Sequence, residues 1–357
     1  MKKRFPLLDI YRILIVFVVL LFHLCIHFGY DTPFKFCNRF LYNGAVTMTG
    51  FFMLSGALLT FLYSDADLFS GNEPMAFYKK RFSKIYFLYA VVLLLFYATL
   101  YFPKPIELWL LPMQIVPLQA FFPKTFNNFI NSGTWFVSDL LFVYLMFPFL
   151  NRLLKKIETH LRTAFLTVWG LIVYFSIVEA YTGQSLYVSP AVRTLEFAAG
   201  MICARTAMLR ETGRLRYGMM FLLSLILTVI AAGASPRWHF FNHQLYKNHY
   251  LYTDWFLVPL SAWTIYCGLK ADGDKLPEIL RSKAIVYLSN LSYAFFLGQM
   301  FVTNFFFKIK AFAHYSSPTK LLLALTANLA VAVILYEVFQ KRLFPRLPNL
   351  MSKKKVP

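Results

Sequence analysis

The sequence predicts an all-α fold, a polytopic membrane helical bundle of about ten transmembrane helices with both termini in the cytosol. Three observations predict it. Of 357 residues, 59% are hydrophobic and only 15% charged, too apolar a balance for a soluble chain of this length. The apolar residues gather into runs of spanning length, roughly 7–28, 41–63, 85–102, 134–150, 163–181, 190–207, 217–234, 250–269, 284–307 and 320–340. Counted on alternate sides of those runs, with Arg205 and Lys320 near run ends taken with the adjoining loops, 25 Lys and Arg lie on the side of the termini, nine on the other, and two, Arg12 and Arg193, deeper within helices; the asymmetry is that of cytosolic termini. It also accounts for most of the formal net charge of +20 without a nucleic-acid partner, because basic loops are attracted to anionic lipid. The expectation is a multi-pass protein of the cell membrane. Its single integral membrane domain covers 1–350, followed by a basic cytosolic tail over 351–357.

The first run carries two residues that hydrocarbon does not accept cheaply, Arg12 and His23. Eleven residues of helix separate them by about three turns and about 16 Å, so they share one face. Arg12 lies near the cytosolic end, where it can either snorkel to lipid phosphates or face the bundle interior. His23 has no such escape by length; it is either hydrogen-bonded to a neighbouring helix or a proton-transfer group. The run is of spanning length and Phe28-Gly29-Tyr30-Asp31 lacks a small-x-small cleavage site, so no cleavable signal peptide is expected. Cys25, Cys37, Cys203 and Cys267 show neither a paired framework nor metal spacing.

The second run contains Gly50, Ser55 and Gly56, small residues whose expected use is close helix packing. The next cytosolic loop ends in Lys79, Lys80, Arg81 and Lys84, either a positive-inside anchor or a binding site for phosphate oxygens. Residues 103–132 alternate prolines with Trp109, Phe121, Phe122 and Phe126, too broken for a span and too apolar for water; an interfacial or re-entrant lid is expected. Asp139, about one and a half turns into the fourth run, has a depth that permits pairing with His23. Arg193 and Glu196, three apart on a helix, read first as an internal ion pair. Glu179 is expected to reach water at the outer end of its helix. His239 and His243 have the spacing of a helical metal pair but no accompanying acidic ligand, so no metal is expected. No phosphate-binding loop, dinucleotide fingerprint or internal repeat is present.

Taken together these motifs resemble acyltransferase family three, integral membrane proteins that modify bacterial surface polysaccharides, peptidoglycan and other acceptors. The specific element is Arg-x10-His, here Arg12 and His23, after Leu8-Asp9-Ile10-Tyr11. In order along the chain follow Gly50-Phe51-Phe52-Met53-Leu54-Ser55-Gly56, the basic stretch Phe77 to Ile85, and Thr134-Trp135-Phe136-Val137 with Tyr144 and Pro148. Arg193-Thr194-Leu195-Glu196-Phe197-Ala198-Ala199-Gly200 and Leu291-Ser292-Tyr293-Ala294-Phe295-Phe296-Leu297 complete the set. Two positions depart from the family pattern: Gln299 stands where a histidine is frequent and Phe87 where a proline is. Glutamine does not shuttle protons near neutral pH, so no catalytic role transfers to Gln299. The chain ends at Pro357, so the hydrolase-like domain fused to some relatives is not expected.

The resemblance implies an acyltransferase of the O-acetyltransferase type in a bacterial cytoplasmic membrane. No bound cofactor is implied; acetyl-CoA or another acyl-CoA is the donor substrate, and a cell-surface glycan or lipid-linked sugar is the acceptor. His23, Arg12 and Asp139 are then the candidate catalytic residues, with Lys80, Arg81 and Lys84 for the donor's phosphates and Arg193, Glu196 and Trp135 for the acceptor. Two alternatives remain open at this point: a membrane transporter using Arg12, His23, Asp139 and Glu196 as a relay, and a non-catalytic glycan export or assembly partner.

Overall fold

In hydrocarbon a backbone satisfies its own N–H and C=O groups only as a helix or a closed barrel, and this chain takes the helical solution. The computed structural model describes residues 4–101, 110–122, 131–211, 216–234, 251–271 and 276–346. Helix accounts for 86% of it and strand for none, which settles the fold class among the described residues. The helices are α1 (Pro6–Phe28), α2 (Lys35–Tyr42), α3 (Met48–Leu62), α4 (Glu73–Phe96), α5 (Leu111–Ile115) and α6 (Trp135–Lys156). They continue with α7 (Leu161–Thr182), α8 (Pro190–Leu209), α9 (Tyr217–Ala234), α10 (Asp254–Lys270), α11 (Lys283–Lys308) and α12 (Ser317–Ile334).

Eight of these, with their continuing turns, are long and apolar enough to cross a membrane: α1, α3, α4, α6, α7, α9, α11 and α12. The other two long helices fall short for local reasons. Within its 20 residues α8 carries Arg193, Glu196 and Arg205, and α10 has 17 residues. All ten expected runs are therefore helical, although two of them do not qualify as spans by composition and length alone. Lipid as the surrounding solvent explains the outward faces: on α9, Leu222, Leu223, Ile226 and Ile230 are exposed, an apolar surface that water would not tolerate.

The described chain divides into two compact units. The first comprises Met1–Phe22, Asp31–Phe69 and Phe142–Ser289, the second His23–Tyr30, Ser70–Leu141 and Asn290–Pro357. In the first, α3 and α8 press together at glycines. A Cβ at Gly56 would strike the carbonyl oxygen of Phe197, and one at Gly200 that of Met53, so the two backbones touch. The small-residue packing expected of the second run is what the structure uses. Against α3 and α8 packs α10, which Thr264 ties to Ser224 of α9 at 2.9 Å, and Asn43 closes the layer by donating to the Ala232 carbonyl at 3.0 Å.

In the second unit the proline-rich outer segment turns back into the protein. Gln114 and Gln119 are buried, the Tyr89 hydroxyl of α4 donates to the Gln114 carbonyl at 2.5 Å, and Gln119 Nε2 donates to that hydroxyl at 2.8 Å. Tyr89 sits well inside α4, so residues 110–122 fold back against that helix. Trp109, Phe126 and the prolines at 103, 105 and 123 lie outside the described residues, as do His239, His243, His249 and the tail 351–357.

Two local expectations change. The cluster Lys79 to Lys84 is not a loop; α4 begins at Glu73 and carries it, because charges past the hydrocarbon boundary do not end a helix that water can solvate. Glu179 does not reach water: it is 1% exposed and its Oε1 accepts the Leu186 N–H at 2.8 Å, tying down the turn that follows Gly183.

The contact at Gly200 predicts that Gly200→Val costs about 3 kcal/mol by overpacking and lowers the thermal midpoint in detergent. Gly170→Ala on α7, where a Cβ meets nothing within 4 Å, should leave that midpoint unchanged or raise it. Equal melting of the two variants would contradict the packing.

Candidate active site

The N-terminal half of α1 is organised around Arg12. Its Nη1 donates to Ser289 Oγ at 3.3 Å, Ser289 donates to Asp9 Oδ1 at 2.6 Å, and Asp9 Oδ2 accepts from Arg4 Nε at 2.7 Å. A carboxylate one turn before the guanidinium and a serine from α11 therefore give the cation protein partners, which distinguishes it from a side chain that only snorkels. Asp9 and Ser289 are positioning residues that the sequence reading missed. Asp9 had a visible signal, opposite charge at three residues on one helix face; Ser289 had none, since it lies 280 residues away.

Further along α1, in the second unit, His23 is half-buried and stacks on His27, with centroids 6.1 Å apart and ring planes at 17°. Asp139, fully buried on α6, belongs to that same unit. Trp135 opens α6 in a buried position, and its neighbour Phe136 meets Phe296 at 4.1 Å and Tyr293 at 6.3 Å. The Tyr293 hydroxyl donates to the Ile85 carbonyl at 2.9 Å. The Trp-Phe and Ser-Tyr motifs of the sequence thus meet in space, and α4 joins them. Close by on α11, Gln299 is buried and its side-chain oxygen has no hydrogen-bond partner among the described residues.

On α4, Lys80, Arg81 and Lys84 fall within a sector of about 100°, as positions i, i+1 and i+4 must. Lys80 and Lys84 are exposed and Arg81 is half-buried. A cavity of about 900 Å³ in the first unit lies at the start of α7 and the C-terminal parts of α8 and α10 and is lined by Arg162, Arg210, Trp263 and Tyr266, among others.

Arg193 and Glu196 form the internal pair that their spacing suggested. Arg193 Nη1 lies 2.7 Å from each Glu196 oxygen, both residues are fully buried, and Nε donates to the Tyr187 carbonyl at 2.8 Å. The guanidinium also sits over the Tyr187 ring, 4.5 Å from its centroid. Two further groups complete the cluster: the Thr49 hydroxyl is 2.7 Å from Asp254 Oδ1 and 3.2 Å from Glu196 Oε1. The described donors of Arg193 are thus spent on Glu196 within α8 and on the Tyr187 carbonyl in the turn before it, while Thr49 of α3 joins Glu196 to Asp254 of α10.

A family model described as an acyltransferase domain matches residues 5–337, nearly the whole chain. The chain belongs to acyltransferase family three. Among curated proteins and solved structures, nothing matches it significantly. Family membership and the helical fold together make the chain a multi-pass membrane acyltransferase. The family match takes in both units and covers Arg12, His23 and, Arg4 excepted, the residues placed above. No group of His, Cys, Asp and Glu able to hold a metal occurs among the described residues.

Two substitutions probe this geometry. Arg193→Met leaves Glu196 and Asp254 buried without their cation and should cost about 3–5 kcal/mol, with Arg193→Met/Glu196→Gln recovering part of the loss in the thermal midpoint. Ser289→Ala, at unchanged midpoint, should lower kcat/KM for acyl transfer by about three- to tenfold, because Arg12 loses its fixed acceptor. Unaltered kinetics would show that Ser289 does not position the cation.

Proposed function

We propose that the protein moves an acyl group, acetyl in the first instance, from cytosolic acyl-CoA to a hydroxyl of a cell-surface or lipid-linked glycan in a bacterial cytoplasmic membrane. The observation that carries this reading is α1 itself. One helix presents an anchored cation in its N-terminal half and a half-buried imidazole toward the other end. Such a helix matches a donor arriving as a polyanion on one side and an acceptor hydroxyl on the other.

In this reading the phosphates of acyl-CoA rest on Lys80, Arg81 and Lys84, which offer charge-assisted hydrogen bonds from one helix face. Arg12 guides the polar end of the donor inward. At His23 an imidazole nitrogen takes the proton of the acceptor hydroxyl as its oxygen attacks the thioester carbonyl, and the CoA thiolate leaves and takes up a proton. The same nitrogen can instead attack first and hold the acyl group before the hydroxyl displaces it. Asp139 is assigned the role of orienting His23, and Trp135 a contact to the acceptor. Gln299 offers its unmatched oxygen to an acceptor hydroxyl. We assign Arg193 and Glu196 to holding α3, α8 and α10 together rather than to the acceptor, because their polar atoms are already engaged with one another and with the surrounding protein.

That engagement also weighs against a transporter. A coupling relay needs groups that exchange partners, and the Arg193, Glu196, Asp254 and Thr49 cluster is closed within the bundle.

Transfer of radiolabel from acetyl-CoA in membranes holding the wild type or His23→Ala, with equal insertion verified, tests the reading. Label on protein or glycan should require His23. Equal labelling by both would remove His23 from the mechanism. Lys80→Gln/Arg81→Gln/Lys84→Gln should raise the KM for acyl-CoA at least about tenfold with kcat little changed; the same rise from Arg162→Gln/Arg210→Gln instead would move the donor to the 900 Å³ cavity.

A further inference from the structure

At the end of α1 remote from the termini, the second unit holds a cavity of about 550 Å³, the volume of a small-ligand site. Phe28, Phe307 and Phe312 form its apolar wall, packed on one another with Phe28 5.5 Å from Phe307 and 5.2 Å from Phe312. His27, Lys310, His314 and Lys320 supply its polar lining, and no carboxylate among the described residues lines it.

Charge makes this cavity unusual. Between Glu278 and Glu337 the sequence contains no Asp or Glu, yet Lys308, Lys310 and Lys320 fall in one stretch of 13 residues on the side where lysines are scarce. Lys308 is committed elsewhere, donating to the Thr99 carbonyl at 3.2 Å. Lys310 and Lys320 form no ion pair among the described residues. Two ammonium groups gathered at an aromatic-walled cavity repel one another unless an anion joins them. Phenylalanine faces meanwhile suit the C–H face of a sugar ring. The site also borders the chemistry: His27, on the cavity wall, stacks on His23 with centroids 6.1 Å apart.

We propose that this cavity binds an anionic group, phosphate or carboxylate, carried by the glycan acceptor, and so selects charged over neutral sugars. The word acceptor rests on the acyl-transfer reading; the binding itself does not.

The experiment is titration of the purified full chain in phosphatidylcholine nanodiscs with N-acetylglucosamine 1-phosphate, glucuronic acid and uncharged N-acetylglucosamine. At least one charged sugar should bind about tenfold or more tighter than the neutral one, and which one it is separates phosphate from carboxylate. Lys310→Gln/Lys320→Gln should abolish that preference, Lys310→Arg/Lys320→Arg should keep it, and Lys35→Gln/Arg39→Gln, which removes two outer cations elsewhere, should leave it intact. High salt, which shortens the Debye length to about 3 Å at about 1 M, should erase the preference in the wild type without any substitution. Equal binding of charged and neutral sugars, absence of binding, or a preference untouched by Lys310→Gln/Lys320→Gln overturns the proposal. So does loss of sugar binding on adding phosphatidylglycerol, which would make a lipid headgroup the ligand. Because binding is read apart from transfer, a protein that acylates its acceptor but shows no charge preference sinks this inference alone. One that binds charged sugars but transfers nothing sinks only the acyl-transfer reading.

Discussion

A charge carried into hydrocarbon must find its partner in protein, and that constraint governs the arrangement of this chain. Arg193 finds Glu196 three residues along the same helix, and the pair draws in Thr49 from α3 and Asp254 from α10. Those contacts join the helices whose backbones meet at Gly56 and Gly200. Close approach and charge satisfaction support each other. Without the glycines the polar groups of α3 could not lie so near α8, and without Arg193 the buried carboxylates of Glu196 and Asp254 would lose their cation.

The same constraint read along α1 separates structure from chemistry. Arg12 is held by Ser289 and, through it, by Asp9, so its position is fixed by a chain of hydrogen bonds from two helices. A cation fixed by neutral and singly charged neighbours keeps donors in reserve, whereas Arg193 is consumed by its carboxylate and carbonyl partners. That contrast is why the account gives Arg12 to the substrate and Arg193 to the fold. His23 differs again: it stacks on a second imidazole, that of His27.

The fold class was legible because composition and run length alone demand helices in lipid. Arg12, His23 and the Arg193–Glu196 pair were legible for the opposite reason, as breaches of that composition, and the pair's own partner lay within one turn. Asp254 and Thr49 were not, since their contact spans 205 residues and nothing local marks it. Ser289 was hidden in the same way. The basic cluster of α4 lies on a helix and not in a loop because charge ends only the lipid-facing part of a helix. Glu179 was misplaced because a carboxylate near a helix end was assigned to water, whereas the backbone N–H of Leu186 claims it. The cavity beside His27 was beyond the sequence, for its lining comes from α1 and from the end of α11, the start of α12 and their connection, brought together only by folding.

The central claim is that one helix links a donor on the side of the termini to an acceptor on the other through His23. Proteoliposomes of defined orientation test it most directly, with labelled acyl-CoA supplied only on the side of the termini and a glycan acceptor only on the opposite side. The account predicts acylated acceptor on the far side with the wild type and none with His23→Ala. Acylated acceptor with both proteins, or passage of label across the membrane with no acylated product, would contradict it.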